Sequence, residues 1–243
     1  MPEQLWFTEF LNHYFGGMIT GLLQHLGIDP AYPAAPISNT VAMEVLVVLL
    51  LIAFFLTVRA KLSVENPGGL QQVVEILQEF IGEQAQGIIG HGYQRYLPYV
   101  MALGFYILVS NLIGLVPGFD SPTASPAVPL GCAVVTFFYY HYYGIRQHGW
   151  HYYKQFIGPV GLLAPLMLVI EIVSHLARIL SLTVRLYANM FAGDMVTLAF
   201  FSLVPVLVPV LFLGLHLGVA LVQTFIFVML TLAYLGMAVS EEH

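Results

Sequence analysis

The sequence predicts an all-α membrane protein, and three observations predict it. Hydrophobic residues make up 59% of the 243 and charged residues only 8%, against about 25% charged in a typical soluble domain. The mean hydropathy is +0.84. A soluble core of this size could not hide so much apolar surface, so lipid must solvate much of the chain. The apolar residues also fall into runs long enough to cross a hydrocarbon core of about 30 Å. The expected architecture is about five transmembrane helices, an interfacial amphipathic helix and a long tilted C-terminal helical hairpin.

Residues 1–40 read as an N-terminal extramembrane segment and 41–243 as a single integral membrane domain. Spans are expected at about 41–58, 96–116, 127–143, 160–201 and 208–239. The first carries one charge, Glu44, and is followed at once by Arg59 and Lys61. The second carries none and ends in NLIGLVPGF; a Pro-rich loop without basic residues follows over 117–126. The stretch from Gly158 to Val239 is too long for one span, because a helix of about 40 residues is about 60 Å long. Pro205 and Pro209 supply the break, since an interior proline removes a backbone hydrogen bond and clashes with the preceding turn. Two long helices that each exceed a perpendicular span should run obliquely.

Leu70–Ile89 differs from the spans. Val73, Val74, Leu77, Phe80 and Ile81 recur at helical spacing, with Glu75, Gln78, Glu79 and Glu83 largely around the rest. That pattern predicts an amphipathic helix at about 70–89 lying in the interface or against other helices. The aromatic run Phe137–Tyr143, with Trp150, Tyr152 and Tyr153 beyond it, reads as interface anchoring at a span end. His141, His148 and His151 fit no common metal-ligand spacing, so no metal is expected.

Arg59, Lys61, Arg95, Arg146 and Lys154 flank one side of a five-span topology. The positive-inside rule then puts the N-terminus outside and the C-terminus in the cytoplasm. Met1-Pro2-Glu3-Gln4 lacks the basic start of a secretory signal, so the apolar segments are expected to be retained. The absence of a basic run argues against nucleic acid as a partner. The single cysteine, Cys132, excludes an internal disulfide and a thiolate metal site.

The candidate functional residues lie on the fourth and fifth spans. Glu171, Arg178 and Arg185 are spaced seven apart and drift only about 20° per step around a helix. Ser174, Ser181 and Asn189 join them by three- and four-residue spacing, forming one polar stripe. A charge at the bilayer centre costs about 3 kcal/mol on insertion scales, so such a residue is functional or is neutralised by a partner. For Arg178 the structural alternative is snorkelling or an ion pair with Glu171. Arg185 has no acid three or four residues away, and Asp194, nine positions on at about 100° per residue, falls on roughly the opposite face. On the last span His216 and Gln223 share a face, with Thr224 beside them. They are either helix–helix hydrogen-bonding groups or members of a pathway.

RLYANMFAGDM, preceded by Glu171 and followed by HLGVALVQTFIFVMLTLAYLGMA, resembles the a subunit of F-type ATP synthases. NLIGLVPGF and the order of spans extend the likeness over most of the chain from about residue 40. The resemblance implies a stator subunit of the membrane sector that catalyses no bond chemistry and needs no cofactor. Its partners would be a ring of c subunits, the b subunits and the rest of the complex, in a bacterial inner membrane. It puts the essential arginine at Arg185, serving as an electrostatic gate between two aqueous half-channels. The proton pathway falls on Glu171, Asn189, Asp194, His216 and Gln223, with Ser174, Arg178 and Ser181 as a supporting stripe. Asp194 stands where glutamate is usual, and Gly114 where some members carry an acid.

The alternative is a proton- or ion-coupled secondary transporter. Intramembrane charge suits one, but no internal duplication is visible. An intramembrane enzyme would want a nucleophile elbow or a zinc motif, and neither is present.

Overall fold

The computed structural model describes residues 4–27, 32–33, 35–116, 118–149, 152, 164–203 and 207–239. Among these residues the secondary structure is entirely helical. Seven α-helices follow one another: α1 Trp6–His25, α2 Asn39–Ala60, α3 Gly69–Ile89, α4 Leu97–Ile113, α5 Ala127–His148, α6 Ala164–Leu203 and α7 Leu207–Val239. Three segments, Asn39–Ala60, Ala164–Phe200 and Val210–Val239, are long and apolar enough to cross a bilayer, and α4 is apolar but shorter. The protein is an all-α membrane protein. Of the positions named above, Glu3, Pro117, Trp150, His151, Tyr153, Lys154 and Pro205 lie outside the described residues, as do 160–163 and 240–243.

Local signals account for the helix ends. Ser38 caps α2, its hydroxyl accepting from the Val41 amide at 3.3 Å. Pro98 sits in the first turn of α4, where an amide hydrogen is not needed. Gly90 and Gly149, at φ 79° and 56°, end α3 and α5 in conformations that side chains resist. The helix limits differ from the sequence reading in detail. α4 stops at Ile113, not 116, and α5 runs on to His148, not 143.

The aromatic run therefore lies inside α5, and most of it packs inward. Tyr139 stacks on Tyr99 with centroids 3.7 Å apart, Tyr143 meets Tyr96 edge-on at 4.9 Å, and Tyr140 is buried. Only Phe138 and Tyr142 of that run stay exposed in the manner of interface anchors.

α7 is the central element: α3, α4, α5 and α6 all pack on it. One core joins Val100, Tyr140, Val228, Leu232 and Leu235; a second joins Ile107, Ala133, Leu186, Met190 and Phe227. Lipid supplies little hydrophobic drive between helices, so close packing at small residues must hold them. Gly236 lies so close to α3 that an added Cβ would sit 2.9 Å from Ile88. Phe80 of α3 reaches Phe225 at 5.8 Å. The amphipathic helix thus rests on the hairpin, with Val73, Ile76 and Phe80 still exposed.

Two features were not legible beforehand. The N-terminal segment holds a 20-residue helix. Asn12 clips it to the chain before α2, donating to the Ile37 carbonyl at 3.1 Å and accepting from the Ile37 amide at 3.0 Å. The loop after α4 folds back into the bundle. Ser121 donates to the Ser110 carbonyl at 2.9 Å, and Thr123 donates to the Asn111 side chain at 2.6 Å. Asn111 in turn donates to Thr224 of α7 at 3.3 Å. Gly114 makes this possible: a Cβ there would stand 2.6 Å from the Ser121 side chain and 3.0 Å from its amide nitrogen.

Gly114→Ala should therefore expel the loop at a cost of about 1–3 kcal/mol, the range for overpacking. Limited proteolysis of sealed vesicles should cut the 117–126 segment faster in this variant than in the unaltered protein.

Candidate functional site

α6 and α7 form an antiparallel pair whose outer faces are strongly apolar. Leu180 and Val184 on α6, and Leu215 and Val222 on α7, are all more than half exposed. Arg185 lies on this open face. Its guanidinium donates to the Ser181 hydroxyl, one turn earlier, at 3.3 Å. Among the described residues no carboxylate lies within ion-pair distance of it.

One turn further along, Asn189 donates across the hairpin to the Gln223 side-chain oxygen at 2.8 Å. Gln223 is almost wholly buried, so the bond fixes the Asn189 amide. Both residues line an open groove of about 470 Å³ whose floor includes Gly214 and Gly218. Glycines there leave the backbone accessible from the open face.

Beyond Asn189 a second polar group forms between the helices. Asp194 Oδ1 lies 3.7 Å from Nδ1 of the buried His216. The His216 ring rests on Gly193, where a Cβ would stand 2.8 Å from Nε2. That Nε2 and the Thr197 hydroxyl are buried without a hydrogen-bond partner among the described residues. Both residues line one cavity of about 250 Å³. Buried polar atoms of this kind are normally satisfied by water.

The opposite end of α6 carries a third group. Glu171 Oε1 lies 3.3 Å from His175 Nε2, and His175 Nδ1 is 2.9 Å from the Tyr140 hydroxyl of α5. Arg178 does not pair with Glu171. Its guanidinium lies over the Tyr234 ring at 5.2 Å, a cation–π contact, because α7 presents an aromatic face there. Ser174 is half-buried beside this group.

The heptad stripe is thus divided by its neighbours. Glu171 pairs with His175 of its own helix, which reaches α5, and Arg178 packs on α7, whereas Ser181, Arg185 and Asn189 share the open face. Along the helix at 1.5 Å per residue, Arg185 stands roughly 21 Å from Glu171 and roughly 14 Å from Asp194. Tyr140 and His175 were missed as site members; His175, four residues after Glu171, carried the available signal.

This arrangement defines a membrane-embedded helical protein with an exposed cation, unpaired among the described residues, flanked by two internal polar clusters. A family model described as ATP synthase A chain matches residues 41–236. The chain is 55% identical to ATP synthase subunit a of Koribacter versatilis, with 100% of both chains covered. It is 45% identical to ATP synthase subunit a of Solibacter usitatus, over 96% of this chain and 99% of that one. The subunit a of Trichlorobacter lovleyi is 38% identical over the full length of both. The chain belongs to the ATP synthase A chain family.

Gly193→Ala should push the His216 ring off its seat and break the Asp194 contact. ATP-driven acidification of inverted vesicles should fall, and His216→Ala in the same chain should not restore it, because the partner of Asp194 is then gone. A single Gly193→Ala variant that pumps normally would show that this packing has no functional weight.

Proposed function

We propose that this chain is the stationary, proton-conducting subunit of a rotary ATP synthase, without bond chemistry of its own. The observation that carries the proposal is the position of Arg185. It is an exposed cation on the apolar face of the hairpin, with no acid among the described residues within ion-pair distance, between two separated polar clusters.

On this reading the open face meets a ring of c subunits, each carrying a carboxylate at the same depth. A guanidinium stays charged at any biological pH. At about 4 Å and an effective dielectric of about 20 it favours the ionised carboxylate by about 4 kcal/mol. A protonated ring site therefore gives up its proton as it reaches Arg185. The fixed charge also repels a proton hopping directly from one side to the other. Protons would enter through one polar cluster and leave through the other. The driving force is about 2.3 kcal/mol per charge for each 100 mV.

Asn189 and Gln223 shape the ring-facing groove. Asp194 with His216 forms one half-channel group, and Glu171 forms the other. The remainder of the assignment follows the family: five spans, b subunits and the rest of the complex as partners, and a bacterial inner membrane. The N-terminus lies outside and the C-terminus in the cytoplasm. Helices of 40 and 33 residues are roughly 60 and 50 Å long, so they must cross obliquely, which suits a curved ring surface.

Arg185→Ala, and also Arg185→Lys, should abolish ATP-driven acidification in inverted vesicles, because the lysine lacks the planar fork and shifts its charge readily when desolvated. Gln223→Leu should be milder. Normal pumping in either arginine variant would sink the gate assignment.

A further inference from the structure

The Glu171 end contains a group that the gate-and-channel scheme does not use. His175 is buried at 8% exposure and engages both ring nitrogens: Nδ1 with the Tyr140 hydroxyl at 2.9 Å, Nε2 with Glu171 Oε1 at 3.3 Å. Glu171 is about one-third exposed, at 34%, whereas Tyr140 is almost wholly buried at 2%. The three residues come from α5 and α6 and run from an accessible carboxylate to the core. Around them lie His141, whose ring centroid is 4.7 Å from that of His175, Arg178 over Tyr234, and Tyr152 edge-on to His141 at 5.8 Å.

We propose that His175 is a further proton-exchanging residue of this subunit, acting on Glu171 and held in place by Tyr140 as its positioning residue. The inference rests on the half-channel reading above.

The chemistry follows from the hydrogen-bond roles. With Glu171 ionised, Nε2–H donates to the carboxylate, and Nδ1 accepts from the Tyr140 hydroxyl. A phenol both donates and accepts, so it can turn and accept from Nδ1–H instead. The exchange step is then imidazolium plus carboxylate going to neutral imidazole plus carboxylic acid. The Nε2–H bond breaks, the O–H bond on Glu171 forms, and the second proton stays on Nδ1, donated to Tyr140. No electrons are transferred to or from the protein, and the reverse step uses the same bonds. Imidazole suits this work because its ordinary titration lies near neutrality. A structural histidine would need only one satisfied orientation. Here both nitrogens face groups that accommodate either tautomer, and one of those groups is an acid about one-third exposed.

The test uses the complete complex carrying this chain, reconstituted in proteoliposomes and stripped of its soluble sector. Passive proton flux is driven by a potassium gradient with valinomycin and measured across pH 6 to 8. His175→Gln keeps a hydrogen-bonding side chain of similar reach but carries no exchangeable charge. It should lower flux at least about tenfold, a bound set below the roughly 10²–10⁴-fold that positioned proton-transfer groups typically contribute, and flatten its pH dependence. Tyr140→Phe removes only the hydroxyl and should give a smaller loss with a displaced pH profile. Imidazole added to His175→Ala should restore flux in proportion to its concentration.

Flux within twofold of the unaltered protein and an unchanged pH profile in His175→Gln would overturn the inference. If that variant does not assemble with the ring, a Tyr140→Phe complex conducting with an unchanged profile would overturn it equally. ATP-driven acidification by the intact complex carrying Arg185→Ala, measured alongside, separates the two readings. Loss of coupling there, with normal conduction in His175→Gln, removes the His175 role alone. Retained coupling in Arg185→Ala removes the half-channel scheme itself.

Discussion

A guanidinium that cannot discharge sits on the outside of an apolar hairpin, and the nearby acids are already engaged. Glu171 faces His175 and Asp194 faces His216, each at a distance along α6 that Arg185 cannot span. Among the described residues only Ser181 hydrogen-bonds the charge. In a low-dielectric setting one neutral hydroxyl does not compensate a cation. Among the described residues the fold thus holds a charge with no counter-ion in reach, its nearest acids on the same helix being engaged elsewhere.

Holding that charge open requires a stiff hairpin, and small residues with interhelical hydrogen bonds provide the stiffness. Gly193 lets the His216 ring lie flat on α6, and Gly104 receives Val228, where a Cβ would stand 3.1 Å from the valine methyl. Asn189–Gln223 bonds α6 to α7, and Asn111–Thr224 bonds α4 to α7. Each buried amide has a defined partner, which fixes helix register where apolar packing against lipid-like surfaces would leave it loose. The folded-back loop after α4 joins the second of these networks and closes that end of the bundle.

The same distribution separates function along one helix. α6 bears polar side chains over much of its length, yet they contact three different surroundings: α5 with α7 at the Glu171 end, the open face at Arg185, and α7 alone at Asp194. A one-dimensional stripe becomes two internal clusters and one exposed cation. That separation leaves two distinct internal polar clusters with an exposed guanidinium between them.

Composition alone determined that lipid is the solvent, because so few charges and so much apolar surface admit no other medium. Helical periodicity marked the amphipathic segment at 70–89, heptad spacing picked out Arg185, His216 and Gln223, and four-residue spacing added Asn189, since residues at those spacings share a face whatever they pack against. Which partner each polar group takes was decided only in three dimensions. Seven-residue spacing placed Arg178 beside Glu171, but Tyr234, on a different helix, draws the guanidinium away. Tyr140 lies 35 positions from His175, and no local rule brings the two together. The helix in residues 6–25 and the inward loop were equally invisible, because Asn12, Ser121 and Thr123 act through bonds to backbone and side chains elsewhere in the fold. Periodicity reports which face a residue occupies; what stands opposite that face depends on how the helices are stacked.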